Sequence, residues 1–498
     1  MKRLCTAAVV LALVPGVLSL AACRRKEARR QDARLVVLTT FVPFEIDPYH
    51  DTRHRSRDVY VNVFEPLVKR DAAGELLPCL AESWTNLSPD VATFRLREGV
   101  SFHDGSPLTT GDVVASLKRA QGRESAVAGY MAGVVEVSTA EPRTVRVRTK
   151  GPQASLVLAL SSVPITKQGA AGAPMGTGPY RVVGFEPGEK VRLARFERYA
   201  GAAPELGEAT FEKAPDAQKE RERLAASTWA VALDPPEEVC GWAARDRRYV
   251  ATSQYLRGAL TYLAFGFAHE SPFRDLRVRR AVRAALDARG LIEAGAPHGG
   301  LAATQLLPPG VFGFDASLRA PARDLDAARG LLRDAGYPRG FTIDLDANVA
   351  DGRLAETVAA QLSEAGLDVR PVLLPSERFR AKIDGESTFY LYNWVVGGEA
   401  EGALRNFLHT RDPEKGWGSR NRTAYSNREL DAALEEAVRT IGPAERLQML
   451  QRCMRLLNDD LPWIPLYSPR IGRVRSKTIN LPERPDDRLV LSEITLAR

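Results

Sequence analysis

The sequence predicts an α/β protein built from more than one domain. Near residue 350, an alternating strand over 341–347, an amphipathic helix over 354–365 and an apolar strand over 367–374 follow one another. Strand, helix and strand within about 30 residues form a βαβ unit with parallel strands. The chain has 498 residues, of which 44% are hydrophobic and 26% are charged. That length exceeds what one hydrophobic core usually supports, which favours two or three domains around a shared cleft.

The other elements follow from the same patterns. Residues 35–38 form a short apolar strand, and residues 93–97 and 144–148 alternate as half-buried strands. Capping-box spacings at 109–112 and 426–429 begin two helices, and Gly336 and Gly366 end two others. Pro443 begins a last helix, which Pro462 ends. A further helix is predicted to carry Val59, Val63, Phe64 and Leu67.

The first 23 residues have the layout of a secretory signal. Lys2 and Arg3 precede an uncharged run over 4–22, and small residues lead to Cys23. The Leu-Ala-Ala-Cys sequence that ends at Cys23 resembles a bacterial lipobox, in which the cysteine receives a lipid and becomes the first mature residue. An uncleaved membrane helix is the alternative, but a Pro-Gly pair in the middle of the run argues against it. We therefore expect a signal peptide over 1–22, a lipid on Cys23 and a basic tether over 23–34.

The positive charge of the chain is concentrated at this end. The formal net charge is +7, to which the signal contributes +2 and residues 24–34 contribute +4, leaving +1 for the rest. The charge therefore does not indicate a nucleic-acid partner. A basic stretch beside a lipid anchor would be attracted to anionic headgroups, although a solvated tether would have the same composition.

The sequence shows no pattern typical of an enzyme or a metal centre. Beyond the signal and Cys23, the cysteines are Cys79, Cys240 and Cys453. Three well-separated thiols allow at most one disulfide and lack the paired spacing of zinc ligands. P-loop, His-Glu-x-x-His and Gly-x-Ser-x-Gly motifs are also absent from the sequence. We expect no catalytic residue, no metal and no cofactor.

Seven stretches in order along the chain carry short motifs, namely VFEPLV at 63–68, GELLP with LAESW at 74–84, FRLR with FHDG at 94–105, GTGPY at 176–180, PFRD with VRRA at 272–281, AGYP at 335–338 and PWIPLY at 462–467. The glycines and the proline of GTGPY suit a strained turn, where a positive or a fixed φ is needed. Together the seven stretches resemble the extracytoplasmic solute-binding proteins of the dipeptide and oligopeptide transporter family.

The resemblance implies a two-lobed fold like that of periplasmic binding proteins, of the class II type, with an extra subdomain in lobe I. Lobe I would take 35–262, with the subdomain near 58–174, and would be completed by 471–498. Lobe II would take 263–470. Two crossing strands near 262–267 and 469–474 would form the hinge, and closure about it would trap the ligand.

The resemblance also implies partners and a location. The protein would be an extracytoplasmic, lipid-anchored monomer that delivers peptides or a similar small polar solute to the permease and ATPase of an ABC importer. A ligand-sensing lipoprotein would use the same lobes, and the ligand could also be a sugar or a metal chelate. The residues do not separate these alternatives.

In such relatives, the segment corresponding to 391–394 lines the cleft, and an aspartate shortly after the tryptophan pairs with the ligand's ammonium group. Asn393 and Trp394 match this segment, and Gly397 and Gly398 would let ligand and backbone approach closely. The aspartate is missing, and Glu399 stands near its place.

Two explanations account for the missing aspartate. Glu399 or Glu401 replaces it with a longer side chain, or the ligand lacks a free amine. Arg353, at the start of a predicted helix, resembles the position where some relatives bind the ligand's carboxylate. Phe41, in the loop after the first strand, completes the predicted ligand contacts.

Overall fold

The structure is a computed structural model that describes residues 33–71, 74–169, 173–256, 258–396, 400–484 and 486–497. The predicted signal peptide, Cys23 and most of the tether lie outside these ranges, as do Gly397, Gly398 and Glu399. Among the described helices, none combines the length and the apolar composition needed to span a membrane.

Strands and helices both occur along the whole described chain. The strands are β1 (Arg34–Thr39), β2 (Val68–Arg70), β3 (Leu76–Pro78), β4 (Ala81–Ser88), β5 (Val91–Leu96), β6 (Val134–Glu141), β7 (Thr144–Thr149), β8 (Lys167–Gln168), β9 (Pro174–Met175), β10 (Tyr180–Glu186), β11 (Lys190–Arg195), β12 (Glu208–Lys213), β13 (Ala230–Leu233), β14 (Tyr249–Tyr255), β15 (Ala259–Phe265), β16 (Gly300–Ala302), β17 (Thr342–Asn348), β18 (Asp368–Leu374), β19 (Phe389–Val395), β20 (Trp463–Ser476), β21 (Ile479–Asn480) and β22 (Thr495–Leu496). The helices are α1 (His54–Val63), α2 (Thr110–Ala120), α3 (Leu156–Leu160), α4 (Ala217–Ala226), α5 (Glu237–Ala244), α6 (Leu276–Ala285), α7 (Ala288–Gly295), α8 (Leu325–Asp334), α9 (Gly352–Glu364), α10 (Ser376–Ile383), α11 (Ala400–Phe407), α12 (Arg428–Arg439) and α13 (Pro443–Asp460).

One mixed sheet runs through the molecule. Within the described residues it has twelve strands in the order β10-β11-β12-β1-β13-β20-β15-β19-β17-β18, and β14 and β16 also pair with β20. We call β1 and β10 to β14, with their helices, the first lobe, and β15 to β19, with theirs, the second lobe. Parallel pairs lie in both lobes: β1 with β12 and β13, and β17 with β18 and β19.

The long strand β20 belongs to both lobes. Its first part pairs with β15 and β16, and its second part pairs with β13 and β14. The change occurs between Pro469, opposite Gly300, and Arg470, opposite Tyr255. The chain crosses between the lobes a second time where β14 ends and β15 begins, because residues 259–265 already pair with β19. The lobe boundaries implied by the family resemblance stay a prediction.

Helices cover both faces of each lobe's sheet. In β15, Leu263 and Phe265 face a core with α6 to α9, whereas Leu260 and Tyr262 face a core with α10 to α13. All residues of β15 are buried, as expected for a strand covered on both faces. In the first lobe, Leu35 of β1 packs in a core that includes C-terminal residues of the chain, such as Leu489.

The first lobe carries a subdomain with its own sheet. β4, β5, β7 and β6 are neighbours in that order. Val113 and Leu117 of α2 and Leu156 and Leu160 of α3 pack in its core. The subdomain reaches the second lobe, because the N–H of Ala154 donates to the carbonyl of Val438 at 3.2 Å.

Several local predictions are confirmed. β17, α9 and β18 form the predicted βαβ unit with a parallel register. Thr109 and Asp112 form the predicted capping box, each side chain accepting from the other's backbone N–H. Gly336 and Gly366, which follow the ends of α8 and α9, have φ values of 91° and 100°, which glycine adopts readily.

Two helix boundaries were predicted incorrectly. α1 ends at Val63, so Phe64 and Leu67 lie beyond it; Pro66 disfavours a helical conformation at the residue before it. The cap of α12 is Asn427 rather than Ser426, since the Asn427 side chain accepts from the N–H groups of Glu429 and Leu430.

The glycines at 176–178 are required for space rather than for positive φ. Neither Gly176 nor Gly178 has a positive φ. Instead, both lie against the end of α1. A Cβ on Gly176 would lie 1.8 Å from the carbonyl oxygen of Val63, and one on Gly178 would lie 2.6 Å from that of Asn62.

We expect Gly176→Ala to lower the free energy of unfolding by about 1–3 kcal/mol, because the added methyl group meets backbone that cannot turn aside. Urea denaturation would measure the change. Gly385→Ala is the control, since nothing lies within 4 Å of a Cβ at that position. Equal midpoints for the two variants would show that α1 can shift to accommodate the methyl group.

Candidate ligand cleft

The cleft is assigned from the directions of the parallel strands, because ligands of open α/β sheets bind beyond the carboxyl ends of the strands. β13 ends at Leu233, which pairs with Arg473 in the second part of β20. β19 ends at Val395, which pairs with Ala259 at the start of β15. The carboxyl ends of both lobes therefore lie beside the two crossings and face each other.

A hydrogen-bond chain forms part of the second-lobe wall. The Thr261 hydroxyl donates to Oδ1 of Asn393 at 2.7 Å, and Nδ2 of Asn393 donates to the two carboxylate oxygens of Asp351 at 3.2 and 3.3 Å. Thr261 is buried, whereas Asn393 is exposed at the surface. Burial raises the pKa of the Asp351 carboxyl group, and the bond from Asn393 offsets part of that shift.

Two exposed apolar side chains lie close in sequence to this series of hydrogen bonds. Val349 follows β17 and is 54% exposed, and Val395 ends β19 and is 52% exposed. Two half-exposed valines beside a carboxylate and an amide give the wall both apolar and polar contact groups, as in typical small-molecule sites.

Trp394 lies on the other face of β19. Neighbouring residues of a strand point to opposite faces, so Asn393 and Trp394 cannot both face one side. Trp394 is 6% exposed, and its ring packs against those of Tyr262, Phe407 and Trp463. The ring is thus enclosed by protein, and the residues of β19 exposed beside it are Asn393 and Val395.

Phe41 lies just beyond the carboxyl end of β1, on the first-lobe side. The Arg53 guanidinium lies 4.2 Å from the centre of its ring, within the range of a cation–π contact. Phe44 meets the same ring edge-on at 6.0 Å and is 62% exposed. This loop therefore offers aromatic surface opposite the second lobe.

A buried network of charged side chains lies in the first lobe, next to the cleft. Arg55, at the start of α1, pairs with Asp58 at 2.9 Å and with Asp234 and Asp487 at 2.7 Å. Asp487 also pairs with Arg473 of β20. Arg55, Asp487 and Arg473 are all buried. The network joins α1, the end of β13, the crossing strand and the C-terminal segment.

The crossings have their own contacts. The Arg470 guanidinium lies 4.8 Å from the ring centre of Tyr255, across the change in strand pairing. Nε2 of His298, in the second lobe, lies 3.1 Å from the carbonyl oxygen of Pro235 in the first lobe. A Cβ on Gly472 would come within 2.7 Å of the His298 ring, so glycine lets β20 pass beneath it.

Glu401, the alternative replacement for the missing aspartate, is 1% exposed. Its carboxylate pairs with Arg405 at 3.2 Å and accepts a hydrogen bond from the Ser155 hydroxyl of the subdomain. These contacts withdraw Glu401 from the cleft surface and join the two lobes. Glu399 lies outside the described residues, as do Gly397 and Gly398.

Arg353 is exposed near the N-terminus of α9. The structure thus brings Arg353, Asp351 and Asn393 to one edge of the second lobe, with Phe41 on the opposing lobe. Sequence reasoning missed Thr261 and Ser155 as members of the site. Ser155 and Glu401 are separated by 246 residues, so no local pattern could have indicated their contact.

Among the described residues, no group of three or more histidine, cysteine or acidic side chains is placed to hold a metal ion. Cys79, Cys240 and Cys453 are free thiols. His103, in the FHDG motif, lies in a turn, and its Nε2 is 3.1 Å from the carbonyl oxygen of Gly178. Burial lowers its pKa to about 4, so the ring is neutral at pH 7.

Comparison with known proteins agrees with this architecture. Heme-binding protein A of Haemophilus influenzae is 25% identical over 463 residues, covering 83% of this chain and 84% of that protein. Glutathione-binding protein GsiB of Escherichia coli O1:K1 is 24% identical over 464 residues, covering 87% of this chain and 88% of that protein. The structure of the periplasmic binding protein DppA from Helicobacter pylori in complex with the peptide STSA has a TM-score of 0.79 and 20% identity, covering 95% of this chain and 100% of that one.

The neighbouring structure shows that the fold is that of two-lobed periplasmic binding proteins, as the sequence predicts. The family model described as bacterial extracellular solute-binding proteins, family 5 Middle, matches residues 75–415. That match covers most of both lobes, and the chain therefore belongs to the bacterial extracellular solute-binding proteins of family 5.

Proposed function

We propose that this protein is the lipid-anchored receptor of an ABC importer and that it captures short peptides or peptide-like solutes between its lobes. The observation that carries the proposal is the second-lobe wall, where Asn393 donates to Asp351 and where Val349 and Val395, each two residues from one of them, are half-exposed. The relatives named for heme, for glutathione and for a bound peptide indicate ligands of this size class. The protein is a monomer that works with the permease and ATPase of the importer, and it catalyses no reaction on its ligand.

Peptides suit this wall because an extended chain can bond to exposed backbone and polar groups while its side chains contact apolar surface. Asn393 and Val395 are both exposed on the last residues of β19. The aromatic loop around Phe41 and Phe44 would contact the other side of the ligand. Such contacts depend little on the identity of each side chain, so broad selectivity is expected.

We expect short peptides to raise the unfolding temperature of ligand-stripped protein. A ligand that binds only the folded state adds RT ln(1 + [L]/Kd), about 2.7 kcal/mol at a hundredfold excess over Kd. A thermal-shift screen of di- to hexapeptides, with glutathione and heme as separate arms, tests this, and small-angle scattering measures compaction. A shift with heme alone, and with none of the peptides, would contradict peptide capture.

We expect Cys23→Ser to release the protein from the membrane while leaving its export intact. The thiol is the lipid acceptor in the lipobox interpretation, and stable anchoring requires acyl chains that insert into the bilayer. Fractionation in high salt removes the contribution of the basic tether and measures the anchor alone. Cys79→Ser, in the first lobe, is the matched control and should stay with the membrane. Equal membrane retention of both variants would show that Cys23 carries no anchor.

A further inference from the structure

We infer that Asp351 is a specificity-determining residue that binds a cationic group of the ligand, an ammonium or a guanidinium. The inference rests on the proposed function and narrows its ligand class to peptides or peptide-like solutes with a positive charge at the second-lobe end. Asp351 would take the role of the family aspartate, for which the sequence offers Glu399 or Glu401.

The first step is the position of Asp351 on the wall. Asp351 ends the one-turn 3₁₀ helix Val349–Asp351 that follows β17, and α9 begins at the next residue. Aspartate is a favoured residue at such a helix start because its side chain usually accepts from the first N–H groups. Here the side chain makes no capping bond and accepts from Asn393 instead. Its carboxylate is thus directed toward the end of β19.

The second step is the set of partners. Because the Thr261 hydroxyl donates to Oδ1 of Asn393, the amide presents its NH2 group to Asp351. These are neutral donors. Among the described residues, no arginine, lysine or histidine forms an ion pair with Asp351, although Arg353 is only two residues away. By contrast, Asp346 of β17 has both Lys382 at 2.6 Å and Ser387 at 2.6 Å.

The third step is the energetic consequence. A carboxylate that is partly removed from water with no cation partner among the described residues is held in an unfavourable state, which agrees with the raised pKa of Asp351. A cationic ligand group would supply the missing charge and would be desolvated together with the carboxylate when the lobes close. Glu401 cannot do this, because Arg405 already neutralises it.

The test compares three tripeptides by calorimetric titration of the full mature protein. Trialanine has a terminal ammonium, N-acetyl-trialanine has none, and N-acetyl-Ala-Lys-Ala has an ammonium only on its side chain. Wild type should bind at least one cationic peptide about 30-fold or more tightly than N-acetyl-trialanine, since an unpaired buried charge costs a few kcal/mol. The two cationic peptides distinguish a terminal from a side-chain ammonium.

Asp351→Asn should reduce this preference to about threefold or less, with little effect on N-acetyl-trialanine. Asp351→Ser provides a second neutral variant, and urea midpoints establish that both fold. Asp344→Asn, at an exposed position of β17, is the matched control and should keep the preference. A preference that survives in both Asp351 variants, or its absence in wild type, would overturn the assignment while leaving peptide capture intact. Failure of wild type to bind any of the three peptides would count against the proposed function and remove this inference with it.

Discussion

Asp487→Asn is expected to lower the free energy of unfolding at pH 7 by about 3–5 kcal/mol, because breaking a buried ion pair leaves the remaining charge uncompensated. Arg473, which is 4% exposed, would lose its anionic partner, and Arg55 would keep only Asp58 and Asp234. Urea denaturation monitored by tryptophan fluorescence would measure the loss. Glu293→Gln, which breaks an exposed pair with Arg289 at 3.0 Å, is the control and should leave the midpoint nearly unchanged.

The loss should depend on pH in a defined direction. Burial alone would raise the pKa of the Asp487 carboxyl group, but Arg55, His54 and Arg473 together hold it well below its ordinary value. A carboxyl group with a depressed pKa in the folded state stabilises that state above its unfolded pKa of about 3.9, and this contribution declines as the pH falls further. The difference between wild type and Asp487→Asn should therefore shrink as the pH falls below 4. A difference that grew below pH 4 would contradict the network.

Glu401→Gln is expected to weaken ligand binding by about 100-fold, or about 3 kcal/mol. In the structure, Arg405 and Glu401 form an ion pair that is buried where the subdomain meets the second lobe. The Ser155 hydroxyl of the subdomain donates a hydrogen bond to the Glu401 carboxylate. With a neutral amide, closure would bury the guanidinium without an anion, so the closed state would be penalised. Titration of the mature protein with its best-binding tripeptide would measure the change.

Ser155→Ala separates the contact between the lobes from the ion pair itself. It removes one hydrogen bond across the lobes and leaves Glu401 and Arg405 paired, so affinity should fall by about tenfold. Ser363→Ala, which removes an exposed bond to the carbonyl of Ala360, is the control and should bind as wild type does. If Glu401→Gln lowered the urea midpoint but bound ligand normally, the ion pair would stabilise the second lobe without contributing to closure of the lobes.

Local sequence patterns predicted helices and strands correctly where a single pattern, such as apolar periodicity or a capping box, determines the element. The βαβ unit at 342–374 and the capping box at Thr109 depend on residues within about one helix or strand of each other. The prediction for α1 was wrong at its end, because the apolar spacing continues past Val63 while Pro66 prevents the helix from continuing. The glycines at 176–178 were identified, but their role was wrong, since contact with α1 is invisible in the sequence.

The candidate site was predicted less completely than the fold. The strand that carries Asn393 and Trp394 was identified from the sequence. Whether Asn393 or Trp394 points into the cleft depends on the tertiary packing of β19. The sequence does not indicate that Asp351 belongs to the site, because an aspartate before a helix ordinarily caps that helix. Only the structure shows that this side chain is turned to Asn393.

The position of β20 in the chain sets the order in which the molecule can fold. It occupies residues 463–476 yet lies at the centre of the sheet, where it pairs with strands of both lobes. One of the two strands that pair with β15 lies about 200 residues further on, and closing so large a loop is slow because many distant contacts must form together. Neither lobe can complete its sheet on a ribosome-bound fragment that stops before residue 463. We expect the main sheet, unlike the separate sheet of the subdomain, to stay incomplete until synthesis of the chain is almost finished.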